Sequence, residues 1–289
     1  MKSAAFSYHA PTTVDEVLRL LTEQPDARLL AGGQSLVPRM NLRVEKPATI
    51  IDINRVAGLD GVTIEAGAVT VGALVRQQTL IEYDGVAVAH PLLREAGGYA
   101  GFRATRHRGT VGGSIAFAAP WAELSATTVA LDATITIRSA TGQREVAARS
   151  FFVGPYETVL TAAELITEVH FPAAAARTGF GFHEVSPRYR DYATAAAAAA
   201  VTLAADGTCA TAELVLLRVS ATPCHVTLTS ILAGRHVDDD ALVEVVSALS
   251  GIDPPSDIEA SGTHRKRLAG TLARRAITTA YARAQEVVA

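Results

Sequence analysis

The 289-residue chain is 49% hydrophobic and 19% charged, long and apolar enough for one large globular domain or two of ordinary size. Its formal net charge of -3, with lysine confined to Lys2, Lys46 and Lys266, leaves no broad basic face and argues against nucleic acid as a partner. The two cysteines, Cys209 and Cys224, show no C-x-x-C spacing and cannot alone build a zinc site or hold an iron–sulfur cluster.

The N-terminus, MKSAAFSYHAP, lacks the long apolar segment of a secretory signal. No apolar run reaches the about 20 residues that a membrane helix needs. The expectation is a cytoplasmic protein without membrane insertion. After Pro11, Thr13 and Glu16 have capping-box spacing, and Val14, Val17, Leu18 and Leu21 mark one helical face. Residues 28–31 read as a short strand ending at Gly32-Gly33, and 48–53 (ATIIDI) as a buried strand. Residues 62–65 and 69–71 read as a hairpin around Gly67. Segments 74–81 and 91–97 look helical, as does 122–131, where Pro120 suits a helix start. A β-rich stretch follows at 134–138, 144–147 and 165–171, and residues 172–176 look like a boundary. Residues 180–185 read as a strand. The alanine run 193–200 is ambiguous, since alanine favours helix while 201–203 and 212–219 look like a hairpin. Residues 225–232, 240–249 and 263–283 read as three helices.

Two glycine-rich passages stand out: LAGGQSLVPRMNLR at 30–43 and RHRGTVGGSIAF at 106–117. Consecutive amides in a glycine turn can converge on a phosphate, because no Cβ blocks the approach. Glycine also collects in ordinary turns, so either passage alone is weak evidence. Two turns of similar grammar, each ending a strand-like run, could grip a pyrophosphate from two sides. Gln34, Ser35 and Ser114 would add side-chain donors. No G-x-G-x-x-G opens a helix and no G-x-x-x-x-G-K-[ST] occurs, so a dinucleotide here would be bound outside the Rossmann and P-loop arrangements. His90, His107 and His183 are scattered and suggest no catalysis. No G-x-S-x-G or H-E-x-x-H appears, which suits a protein whose cofactor does the chemistry.

These two passages resemble the flavin motifs of the FAD-binding medium subunit of the molybdenum hydroxylase family, which includes carbon monoxide and xanthine dehydrogenases. The family forms are A-G-G-x-S-L-x-P-x-M-x-L-R and R-G-T-[IV]-G-G-N-x-A. Phe6, Tyr8 and Pro11, the segment Arg188-Tyr189-Arg190-Asp191-Tyr192-Ala193 and the tail HRKRLAGTLARRA also match, so the resemblance spans the chain. It implies an α+β fold: a two-subdomain FAD-binding unit of the vanillyl-alcohol-oxidase (PCMH) type at 1–173, divided near 57, then a smaller α+β domain at 174–289. It also implies that the alanine run is a strand.

By the same resemblance, FAD contacts come from Ala31, Gly32, Gly33, Gln34, Ser35 and Leu36, from Thr110, Val111, Gly112, Gly113 and Ser114, and from Arg106. Tyr192 is expected near the isoalloxazine ring. The pattern departs after the second motif. Ala119 stands where an aspartate is usual, Glu123 stands in place of a second aspartate and remains able to accept hydrogen bonds, and Trp121 stands where a small residue is usual. The implied function is that of an oxidoreductase subunit, carrying FAD and passing electrons to an external acceptor. Molybdopterin and [2Fe-2S] clusters would sit on a large and a small partner subunit. A non-redox nucleotide- or small-ligand-binding module and a self-contained flavin oxidase are the alternatives.

Overall fold

A computed structural model describes residues 2–287. The first layer is a three-stranded parallel sheet in the order Ser7–His9, Thr49–Asp52, Arg28–Leu30. The helix Val14–Glu23 covers it. Thr13 caps this helix by accepting from the Glu16 amide, and Glu16 accepts from the Thr13 amide in return. That exchange satisfies donors that a helix start otherwise leaves orphaned. Val17, Leu18, Leu20 and Leu21 pack on Ile51, Ile53 and Val56, each side chain contributing about 1.5–3 kcal/mol by burial.

The second sheet is antiparallel and has five strands, in the order Val62–Glu65, Ala68–Gly72, Leu165–Phe171, Thr134–Ser139, Gly142–Ala147. Helices between residues 77 and 130 close over it, with Leu80, Leu92, Leu93, Ile115 and Leu124 in one core with Val69, Ile135, Val169 and Phe171. The segment expected as a helix at 74–81 becomes helical only at Gln77–Glu82, because Ala73 and Leu74 turn the chain, the Val75 amide donating to the Gly72 carbonyl, and Arg76 bridges to Thr110.

A third, four-stranded antiparallel sheet runs in chain order: Thr178–Val185, Ala195–Leu203, Cys209–Leu217, Cys224–Thr227. The alanine run is a strand, as the resemblance implied, and its composition has a packing cause. Ala195, Ala197 and Ala199 face a core built with the 25-residue helix Gly262–Glu286, while Ala196 and Ala198 join the core of the second sheet. The helix comes so close that a Cβ on Gly179 or Gly181 would collide with its backbone at Ala280 or Ala276. Tertiary contact thus overrides the helix preference of alanine. One expectation fails here. Residues 225–232 are not a single helix: Cys224–Thr227 pairs with the preceding strand, and only Thr229–Leu232 turns helical. His225 points at Glu213 across that pairing, 2.6 Å away, an interaction that apolar spacing does not reveal.

Candidate cofactor-binding site

The strand Arg28–Leu30 ends at Ala31, and Gly33 follows with φ +72°, a left-handed conformation that glycine adopts at little cost. None of the amides of Gly32, Gly33, Gln34, Ser35 or Leu36 finds an acceptor among the described residues. Gly32, Gly33 and Gln34, the first three of these five consecutive unpaired donors, line an open cleft of about 330 Å³ together with Asp52, Asn54 and Arg108, among others. Asn54 holds the cleft floor. Its side-chain amide donates to the Ala31 carbonyl at 2.8 Å and to Asp52 at 2.6 Å, and its own oxygen accepts from Arg76 at 2.7 Å. Burial works against ionisation of Asp52, but hydrogen bonds from Tyr8 and Asn54 outweigh it and hold the carboxyl below its ordinary pKa.

The second glycine passage is a different object from the first. Rather than a turn closing a strand, Val111–Phe117 is a helix capped by Thr110, whose hydroxyl accepts from the Gly113 amide at 3.1 Å. The amides of Val111 and Gly112 donate to Val75 and Ala73, and that of Ser114 to Thr110. These donors are therefore engaged, and this passage backs the first loop. A Cβ on Gly32 would fall on the Arg108 carbonyl oxygen and 2.7 Å from the Gly109 Cα, and one on Gly112 would meet Ala73 at 2.5 Å. The doubled glycine thus has two separate causes: Gly32 allows loop-on-loop contact, and Gly33 allows the left-handed turn.

The remaining sequence-derived candidates divide. Arg106 is 3% exposed and turned inward, donating to Gln78 at 2.8 Å and to the Ala100 and Gly101 carbonyls. Glu123 is 7% exposed at the start of the helix Glu123–Ala130, and burial pushes its carboxyl up to about 7. Glu184, on the strand Thr178–Val185, has both oxygens buried with no hydrogen-bond partner. Burial and the neighbouring Glu123 push it up to about 9. Tyr192 is 57% exposed, and its ring lies 4.6 Å from that of Trp121. Trp121 also meets Tyr156 at 5.9 Å, which meets Phe117 at 5.1 Å. Arg218 covers the other part of this cluster, its Cζ 5.3 Å over the Trp121 ring. Sequence reasoning missed Asn54, Arg76, Tyr156 and Arg218. The pair Asn54-Arg55 closing the ATIIDI strand was the one available clue, since polar side chains at a strand end can brace a neighbouring loop.

Residues 4–174 match the family described as the FAD binding domain in molybdopterin dehydrogenase, and residues 181–280 match the CO dehydrogenase flavoprotein C-terminal domain. The chain belongs to this flavoprotein family. It is 33% identical to the 6-hydroxypseudooxynicotine dehydrogenase complex subunit alpha of Paenarthrobacter nicotinovorans, covering 99% of this chain and 97% of that relative. It is 34% identical to the carbon monoxide dehydrogenase medium chain of Afipia carboxidovorans, over 99% and 100%. Among solved structures, quinoline 2-oxidoreductase from Pseudomonas putida 86 superposes with a TM-score of 0.94 at 35% identity, covering 98% of this chain and 99% of that one.

As a family member the protein is an FAD-binding oxidoreductase component, with the flavoprotein fold of an FAD-binding unit followed by a C-terminal domain. Its own residues suit that cofactor: a dinucleotide's pyrophosphate needs several convergent donors, and the amides of 32–36 supply them without a competing acceptor. Among the described residues no helix is long and apolar enough to cross a membrane.

Proposed function

We propose that the chain is the electron-transferring FAD subunit of a heteromeric molybdenum hydroxylase. The observation that carries the reading is the row of unpaired amides from Gly32 to Leu36, the first three of them lining the cleft. They would hold the pyrophosphate of FAD, with Ala31 anchored by Asn54 and with Thr110, Val111, Gly112, Gly113 and Ser114 backing the loop. Glu123 and Tyr192 would serve the remaining part of the cofactor, and Arg106 would position the segment before the second motif. Bound FAD supplies two-electron redox chemistry, while the polypeptide binds, orients and sets the electrostatics.

Two cysteines cannot provide the four thiolates of a [2Fe-2S] cluster, so electrons would reach the flavin from clusters on a small partner subunit. These electrons originate at a molybdopterin centre on a large subunit and leave to an external acceptor. The relatives fit such an assembly, since their names describe complex subunits and medium chains. A cytoplasmic location goes with this reading.

The test is the native complex. It should be yellow, with flavin absorption bleached by dithionite and restored by reoxidation. A complex that purifies colourless and takes up no added FAD would refute the proposal.

A further inference from the structure

We propose that Arg218, seated over Trp121, is a positioning and charge-tuning residue for the FAD ring, with the Trp121 indole as part of the ring's surroundings. This rests on the FAD reading above and adds two residues to it, neither of them in the glycine motifs.

The first observation is backbone geometry. Arg218 has φ +63°, the left-handed region that residues with a side chain rarely adopt. Such outliers persist only where the surroundings hold them, and they cluster at functional sites. The holding groups are present: Arg218 Nη2 donates to Asp257 at 2.6 Å and to Glu259 at 2.9 Å. Asp257 is itself gripped by Arg265 through both oxygens, at 2.7 and 2.8 Å.

The second observation is an unused donor. Arg218 is 6% exposed, and its Nη1 is buried without a hydrogen-bond partner. A desolvated guanidinium nitrogen left unpaired is costly, because water no longer satisfies it. The third is the platform beneath it. Trp121, Tyr156 and Tyr192 form a contiguous aromatic surface with one cation above it.

A ligand that satisfies both platform and donor is flat and π-rich, with an oxygen or nitrogen acceptor on its edge. The isoalloxazine ring has that chemistry. Bound there, the flavin would become one negative charge richer on taking up two electrons from the partner's iron–sulfur clusters and one proton. The two cations Arg218 and Arg265 and the two carboxylates Asp257 and Glu259 cancel at a distance, so what remains is the local Nη1 group. A fixed donor of this kind favours the more negative form and raises the potential at which the flavin is reduced.

The experiment compares flavin content, visible spectrum and midpoint potential in the native complex carrying wild-type, R218Q, R218K or W121F chains. R218Q should lower the potential while flavin content stays near wild type. R218K, which keeps the charge and its carboxylate partners but lacks the second nitrogen, should show a lowered potential as well. W121F, a mild change that protects the test against misfolding at Arg218, should alter the flavin absorption band. Wild-type potential in R218Q at full flavin content would overturn the role of Arg218, as would a W121F spectrum identical to wild type for the role of Trp121. Either result would leave the FAD reading intact. Absence of flavin from the wild-type complex would instead remove the reading beneath it.

Discussion

Gly32 lies against the peptide that joins Arg108 to Gly109, so tightly that a Cβ on Gly32 would coincide with the Arg108 carbonyl. The two glycine motifs are thereby one structural unit, although Arg108 lies 76 positions after Gly32 in the chain. Gly32→Ala should push the loops apart, at an overpacking cost of about 1–3 kcal/mol. The expected result is a lower melting temperature together with reduced flavin content. Gly61→Ala, where an added Cβ would meet nothing within 4 Å, should change neither by much. A Gly32→Ala protein that melts like wild type with full flavin would show that the contact does not matter.

Asn54 ties the first loop to the floor of the cleft through three partners, Ala31, Asp52 and Arg76. Asn54→Ala removes those bonds without touching the free amides. With about 1.4 kcal/mol corresponding to tenfold in affinity, the FAD dissociation constant should rise about tenfold. Equilibrium titration of the apoprotein or apo-complex with FAD measures this, and an unchanged constant would mean that the loop is pre-organised by other contacts.

Glu184 makes stability fall with rising pH. Below its ordinary value of 4.5 both folded and unfolded chains hold the proton, and its contribution is fully present. Above that value the unfolded chain releases the proton while the folded chain retains it, so stability declines until pH passes about 9. Glu123, pushed up to about 7, acts with the same sign. Glu184→Gln removes one titrating group and should be more stable than wild type at pH 8 by on the order of 2 kcal/mol, with the gap closing by pH 5. Urea unfolding at both pH values decides it; a gap that widens toward acid would show the sign to be reversed.

Arg265 is fully buried and donates to Asp257, to the Pro255 and Ala260 carbonyls and to the Thr194 carbonyl. Arg265→Ala strands those acceptors and opens a cavity, so a loss of about 3–5 kcal/mol is expected. Arg265→Met, which refills volume without donors, should recover only part of it. Denaturant midpoints of the two variants separate the packing share from the hydrogen-bonding share.

The sequence made local features plain and contacts obscure. The capping box at Thr13 and Glu16 is legible because all its parts lie within four residues. The alanine run was ambiguous because propensity sees only the chain, whereas its identity as a strand depends on a helix some 70 residues later pressing against it. Residues 225–232 misled for the same reason: helical apolar spacing was outweighed by edge pairing to Glu213–Leu216. At the cleft, the free amides of 32–36 lie within a short motif. The engaged amides of Val111 and Gly112 could not be told from them, since their acceptors at Val75 and Ala73 are remote in sequence. Arg218 gave no sign, because a positive φ is invisible without coordinates.

The alanine strand also joins the fortunes of the two halves of the chain. Its odd-numbered alanines belong to one apolar interior and its even-numbered ones to another, with Phe180, Phe182, Val215 and Leu217 on the same side as the latter. Neither interior can loosen without disturbing the sheet that walls the other. Heating should therefore produce one calorimetric transition rather than two. Residues 174–289 made alone would expose the apolar face of Phe180, Phe182, Val215 and Leu217 and should aggregate, and residues 1–173 made alone would lose the cover that face provides.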